Sequence, residues 1–173
     1  MGCKMTLKGK YLYILRKTPL RKLSVHFVEK FHAVENNLNE PFEVYGVSGC
    51  CFMMSKESSR ELFPLDENTF LYEEENMIGV KVDRLGKKIL YYPPAEITHL
   101  GGASTNKMSA FSYGCFIESE IYYCRKYLSS PRFLIFPLFL FRILYFVKVY
   151  QCKDYIKYGK RSIKMFVNMC LYK

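Results

Sequence analysis

The chain has 173 residues, half of them hydrophobic and 17% aromatic, with 26 Lys and Arg against 16 Asp and Glu and a formal net charge of +10. A domain of about 150 residues buries roughly two-thirds of its unfolded surface, so this length carries a core, and the composition excludes a disordered or low-complexity protein. The total charge by itself admits nucleic acid, anionic lipid or phosphorylated substrates as partners.

The charge is unevenly placed. Residues 1–28 hold seven Lys and Arg and no acid, residues 29–120 hold eight against fifteen acids, and residues 121–173 hold eleven against one. Nucleic-acid domains usually carry their basic residues on the folded body. Here the middle is acidic, and the basic ends are rich in Phe, Leu and Tyr. That pattern argues against nucleic acid and for a membrane surface, where cations meet head groups and apolar side chains enter the interface. The seven cysteines form no C-x-x-C pair and read as reduced thiols. The N-terminus lacks the unbroken apolar stretch of a signal peptide. The expected location is cytoplasmic, peripheral at the inner face of the cytoplasmic membrane.

In chain order, residues 1–34 show no clear apolar period, except that a helix over 22–33 places Leu23, Phe27 and Phe31 about one turn apart. Residues 36–41 read as a loop. Residues 42–54 read as an extended apolar segment broken by Gly46 and Gly49. Ser55 caps a short helix through Leu62, closed by Pro64, and residues 65–68 form a turn. Residues 73–85 read as an amphipathic helix with Ile78, Val82 and Leu85 on one face. Glu73, Glu74 and Glu75 occupy its first turn, where the helix dipole favours carboxylates, and Gly86 stands at its stop.

A strand follows over 88–92, ended by Pro93-Pro94, then a second short strand over 97–100, a small-residue loop over 101–105 and a helix over 108–128. Residues 133–149 are the greasiest stretch, interrupted by Pro137, Arg142 and Lys148. A spanning helix needs about 20 largely apolar residues, so a helix lying in the interface fits better, with a buried core helix and a true span as the alternatives. The tail from residue 151 is basic and aromatic.

Singly, the chemistry-bearing residues admit plain readings. The three glutamates are a solvated first turn, or one of them faces a cleft and accepts a proton from a hydroxyl. His99 is structural, or it ligates a divalent ion beside the flexible Gly101-Gly102. Ser48-Gly49 lacks a nucleophile elbow. His26 and His32 suggest no role.

The order of the motifs says more. VSGCCFMMSKES (Val47 to Ser58) precedes LFPLDENTFLYEEEN (Leu62 to Asn76). GKKILYYPPAEITHLGGAST (Gly86 to Thr105) follows, then a helix containing SEIYYCRKY (Ser119 to Tyr127). This succession resembles the C-terminal half of family 2 glycosyltransferases, especially the bacterial rhamnosyltransferase-like enzymes of surface-polysaccharide synthesis. The resemblance covers residues 45–128 well and 129–150 loosely.

The resemblance implies an α/β or α+β chain, a truncated GT-A fold, divided into a basic arm (1–44), a glycosyltransferase C-terminal subdomain (45–128) and a membrane-associating helical tail (129–173). It implies an inverting transfer of a sugar from a nucleotide-sugar donor to a glycan or lipid-linked acceptor. The general base lies in the pair Glu74-Glu75, where the second member is Glu rather than the commoner Asp. Val47, Ser48 and Gly49 line the sugar pocket, Asp66 and Glu67 frame the acceptor side, and Gly101 and Gly102 form the substrate loop. His99 is the candidate ligand for the Mg²⁺ or Mn²⁺ of the intact enzyme. Lys81 replaces the family's Arg, and Gly86-Lys87 its Gly-Trp turn. No Asp-x-Asp occurs, and the 44 upstream residues are too few for the βα units of a nucleotide site. The expectation is therefore of a partial enzyme that works with a separate nucleotide-binding half. The competing expectation is an inactive membrane-peripheral interaction protein.

Overall fold

The computed structural model describes residues 1–16, 18–32, 40–101, 109–149 and 153–171. The loop expected over 36–41 lies outside the described residues up to position 39, and the small-residue loop expected over 101–105 does so from position 102 on. The chain forms two compact units. One comprises residues 1–66 and 74–99, the other residues 67–73 and 100–173.

In the first unit, α1 (Leu7–Leu15) starts at Thr6, whose side chain accepts from the Gly9 N–H at 3.1 Å. A 3-10 turn (Arg21–Ser24) leads into α2 (Val25–His32). The single helix expected over 22–33 is therefore divided. Ser24 Oγ donates to the Arg21 carbonyl at 2.7 Å and holds the tighter turn. Leu23 ends up exposed while Phe31 is buried. Helix α1 escaped notice because its buried residues, Gly9, Lys10 and Ile14, do not form an apolar stripe.

Strand β1 (Phe42–Val44) pairs antiparallel with β2 (Ile89–Tyr91), with Phe42 opposite Tyr91 and Val44 opposite Ile89. The extended segment expected over 42–54 is a strand only at its start. Past Val44 the Met1 carbonyl accepts from both Tyr45 N and Gly46 N, the Met1 amine donates to the Gly46 carbonyl, and the chain turns at Gly49. The strand expected at 97–100 does not form, and that stretch is exposed coil. A strand needs a neighbour for its backbone donors and acceptors, and the two-stranded sheet contains only β1 and β2.

Helix α3 (Lys56–Leu62) begins where expected, with Ser55 Oγ accepting from Ser58 N at 3.1 Å. Helix α4 (Glu74–Arg84) is followed by Gly86 at φ +64°, a conformation that disfavours any side chain with a Cβ. Lys81 Nζ donates to the Pro64 carbonyl at 3.1 Å and ties α4 to the end of α3. Val44, Leu62, Met77 and Val80 are buried in this unit.

The second unit is built on α5 (Ser109–Lys126), α6 (Arg132–Val149) and α7 (Lys153–Leu171). The turn from α5 to α6 is pinned by Arg125 Nη1, which donates to the Ser130 carbonyl at 2.9 Å. Tyr113 meets Phe146 and Arg142 meets Glu120, so α6 runs back along α5. Tyr158 meets Phe111 and Arg161 meets Glu118, so α7 runs parallel to α5. Phe139 and Phe166 stack at 4.4 Å between α6 and α7. Ile117, Ile121, Tyr123, Ile135, Leu138 and Phe146 are essentially inaccessible.

Helix and strand are both present, as expected, with helix dominant. The compact units are packed bodies and cut across the segments 1–44, 45–128 and 129–173, which composition and resemblance set. Among the described residues no helix is long and apolar enough to cross a membrane. Helix α6, read as lying in the interface, buries one side against α5 and α7 and exposes the other.

Candidate functional site

The site is built at the start of α4. Tyr72 and Glu73 both have positive φ, +72° and +70°, a conformation that costs an L-residue on the order of 1–2 kcal/mol. The neighbouring packing holds them there. The Leu71 carbonyl accepts from Ser119 Oγ at 2.6 Å, and the Tyr72 ring meets Phe116 edge-on at 5.8 Å. Glu73 is thereby kept out of α4 and is 5% exposed. The acidic first turn read as three residues contains Glu74 and Glu75 only.

Both remaining glutamates are half-buried. Glu75 Oε1 accepts from the Gly49 N–H at 2.9 Å, across 26 residues of sequence. A Cβ at position 49 would stand 2.9 Å from that oxygen, so a larger residue there would make the Glu75 carboxylate shift. Burial lowers the pKa of the Met1 amine, while Coulombic interaction with Cys3 and Glu75 opposes the shift.

The structure thus joins Gly49 to Glu75, and Val47 and Ser48 come with Gly49 through the chain. Val47 is half-buried and Ser48 exposed. Asp66 is half-buried and Glu67 exposed at their turn. His99 is exposed in coil, as is Gly101, and Gly102 lies outside the described residues. Among the described residues no group of three His, Cys, Asp or Glu side chains could hold a metal ion. His99 belongs to no such group among the described residues. The described cysteines, Cys3, Cys50, Cys51, Cys115 and Cys124, are free thiols.

The comparisons with known proteins leave the family open. No family model, curated protein or solved structure matches the chain.

One concavity escaped the sequence reading. A groove of about 300 Å³ is lined by Cys3, Glu43, Tyr45, Asp83, Lys87 and Lys88, among others. These residues come from separated segments, so no motif announces them. Their charges are largely matched with one another or with neighbours: Lys88 pairs with Glu43 at 2.7 Å, Lys87 with Glu61 at 2.9 Å, and Lys4 with Asp83 at 3.6 Å. Burial pushes the Cys3 thiol up, away from the thiolate a nucleophile requires. Burial and the charge of Asp83 push Tyr45 up to about 12. The groove therefore offers less chemistry than the Gly49–Glu75 contact. There a carboxylate is oriented through one oxygen, and its Oε2 makes no hydrogen bond to the described residues.

Proposed function

We propose that this chain is the acceptor-side part of an inverting sugar transferase, with Glu75 as the general base and Glu74 beside it. The observation that carries the reading is the Gly49–Glu75 hydrogen bond. It unites two motifs of the glycosyltransferase-like succession that lie 26 residues apart in sequence. A GT-A-like arrangement is part of the same proposal.

In this reading Gly49 fixes the carboxylate, and the second oxygen takes the proton from an acceptor hydroxyl. The hydroxyl oxygen forms a bond to the anomeric carbon of a nucleotide-sugar. The bond from that carbon to the diphosphate breaks, and the nucleoside diphosphate leaves with inversion. Val47 and Ser48 border the sugar, and Asp66 borders the acceptor. The nucleotide is held by a separate half. The acceptor is a glycan, free or lipid-linked, in the building of a surface polysaccharide. No step is assigned to a metal ion.

The test mixes the full chain with a separately produced nucleotide-binding half and measures transfer from nucleotide-sugars to a lipid-linked glycan acceptor. Transfer is expected only when both are present. Glu75→Gln is expected to lower its rate by about 10²–10⁴-fold, the usual worth of a general base. Full rate in both Glu75→Gln and Glu74→Gln sinks the assignment. A second reading, an inactive membrane-peripheral interaction protein, draws support from the exposed apolar side of α6. It predicts no transfer with any partner half.

A further inference from the structure

Helix α6 is apolar over most of its circumference, yet only one of its sides is covered. Ile135, Leu138, Phe139 and Phe146 face inward and are buried. Phe133, Phe136, Leu140, Leu144 and Val147 recur every three or four residues on the opposite side and are exposed, Phe133 by 73% and Leu144 by 61%. An apolar helix face is ordinarily turned toward cover, and a stripe running the length of α6, about 27 Å at 1.5 Å per residue, is a contiguous patch that marks an interaction surface.

The stripe continues onto α7. Phe136, at its edge, meets Phe166 at 5.9 Å. Ile163 and Val167 each follow an inward residue, Ser162 and Phe166, by one position, or roughly 100° of helix rotation, and both are nearly half exposed. Further round the same side of α7 lie Lys160 and Lys164, with Lys157 beyond them, all exposed. Residues 121–173 as a whole carry eleven basic residues and one acid.

We infer that the outer face of the α6–α7 pair docks flat on a bilayer bearing anionic head groups. The apolar stripe enters the interface, and the lysines of α7 reach the head-group phosphates with their alkyl stems laid along apolar surface. Charge complementarity selects this occupant. A second copy would set one basic face against another, whereas an anionic bilayer supplies both the apolar layer and the opposite charge. Contact is one-sided, because the inner side of α6 is held by the ion pair between Arg142 and Glu120. The inference does not depend on the transferase reading.

The chain contains no Trp, so Leu144→Trp places a single reporter on the stripe at an exposed site. The full chain is floated with vesicles of phosphatidylcholine alone or with about one-third phosphatidylglycerol, an anionic surface of the kind that attracts basic segments. Binding to the anionic vesicles only is expected, with a blue shift of the Trp emission and quenching by brominated lipid. Lys160→Gln with Lys164→Gln is expected to weaken partitioning by about 25-fold, from roughly fivefold per lysine at such a surface, with circular dichroism unchanged. Absence of flotation, equal binding to neutral vesicles, or unaltered binding by the lysine variant overturns the inference. So does a concentration-dependent blue shift without lipid, which would make the face a contact between copies of the chain.

Discussion

Arg142 interrupts the greasiest stretch of the chain, yet it points inward. Its Nε and Nη2 donate to the two carboxylate oxygens of Glu120 at 2.7 and 2.8 Å, and its guanidinium lies 4.7 Å from the centre of the Phe116 ring. Burial acts to lower the Arg142 pKa, but the charge and hydrogen bonds of Glu120 outweigh it and raise the value above the usual arginine range. Removing either partner strands a buried charge. Glu120→Gln or Arg142→Met is therefore expected to lower the unfolding free energy by about 3–5 kcal/mol, and Glu120→Leu with Arg142→Met to recover most of it, as read by denaturant melts. A double variant no more stable than the singles would show that the pair does not act as a unit. Nothing in the sequence connects positions 120 and 142. Helix α6 has to fold back along α5 before they meet.

Individual helices were far more legible. Ser55 before a polar helix, acids ahead of an apolar face and Gly86 behind it are local signals, and α3, α4 and the strand at 89–91 follow them to within a residue or two. These signals act within a turn of backbone, so packing has little power to reverse them. Ser55→Ala is expected to cost about 1 kcal/mol through loss of the cap. Gly86→Ala is expected to cost about the same, since its φ of +64° puts a Cβ against the following carbonyl. Thermal melts check both, and an unchanged Tm in either variant contradicts the local account. The misreadings share one cause. Helix α2 is shortened by a 3-10 turn, residues 97–100 lack a partner strand, and Glu73 is drawn out of α4. Contacts made elsewhere decided each of them.

At the scale of the molecule, each of the two units contains a tyrosine pushed up to about 12, Tyr45 in one and Tyr113 in the other. Burial is the main cause in both. A raised pKa means that the fold favours the protonated phenol. The associated stability is full below the ordinary tyrosine value near 10 and is lost as pH rises toward about 12. Ultraviolet titration of the folded chain is expected to show tyrosines that ionise late, and the denatured chain to show none. Tyr113→Phe should remove part of the late phase and leave the share due to Tyr45. An identical titration of folded and denatured chain contradicts this. The outer face of α6 and α7 belongs to the same scale, because only the assembled helices divide the largely apolar α6 into a core side and an exposed side.

The sequence by itself determined the helical segments of α3 to α6, the stop of α4, the mixed α and β content and the segregation of charge into an acidic middle with basic ends. Those properties depend on neighbouring residues, through capping, periodicity and composition. Tertiary structure decided which glutamate touches Gly49, that Glu73 is buried, and that Arg142 serves the core. Each of these depends on a contact between residues distant along the chain. Burial and charge pairing act in space, and spacing along the sequence carries no record of them.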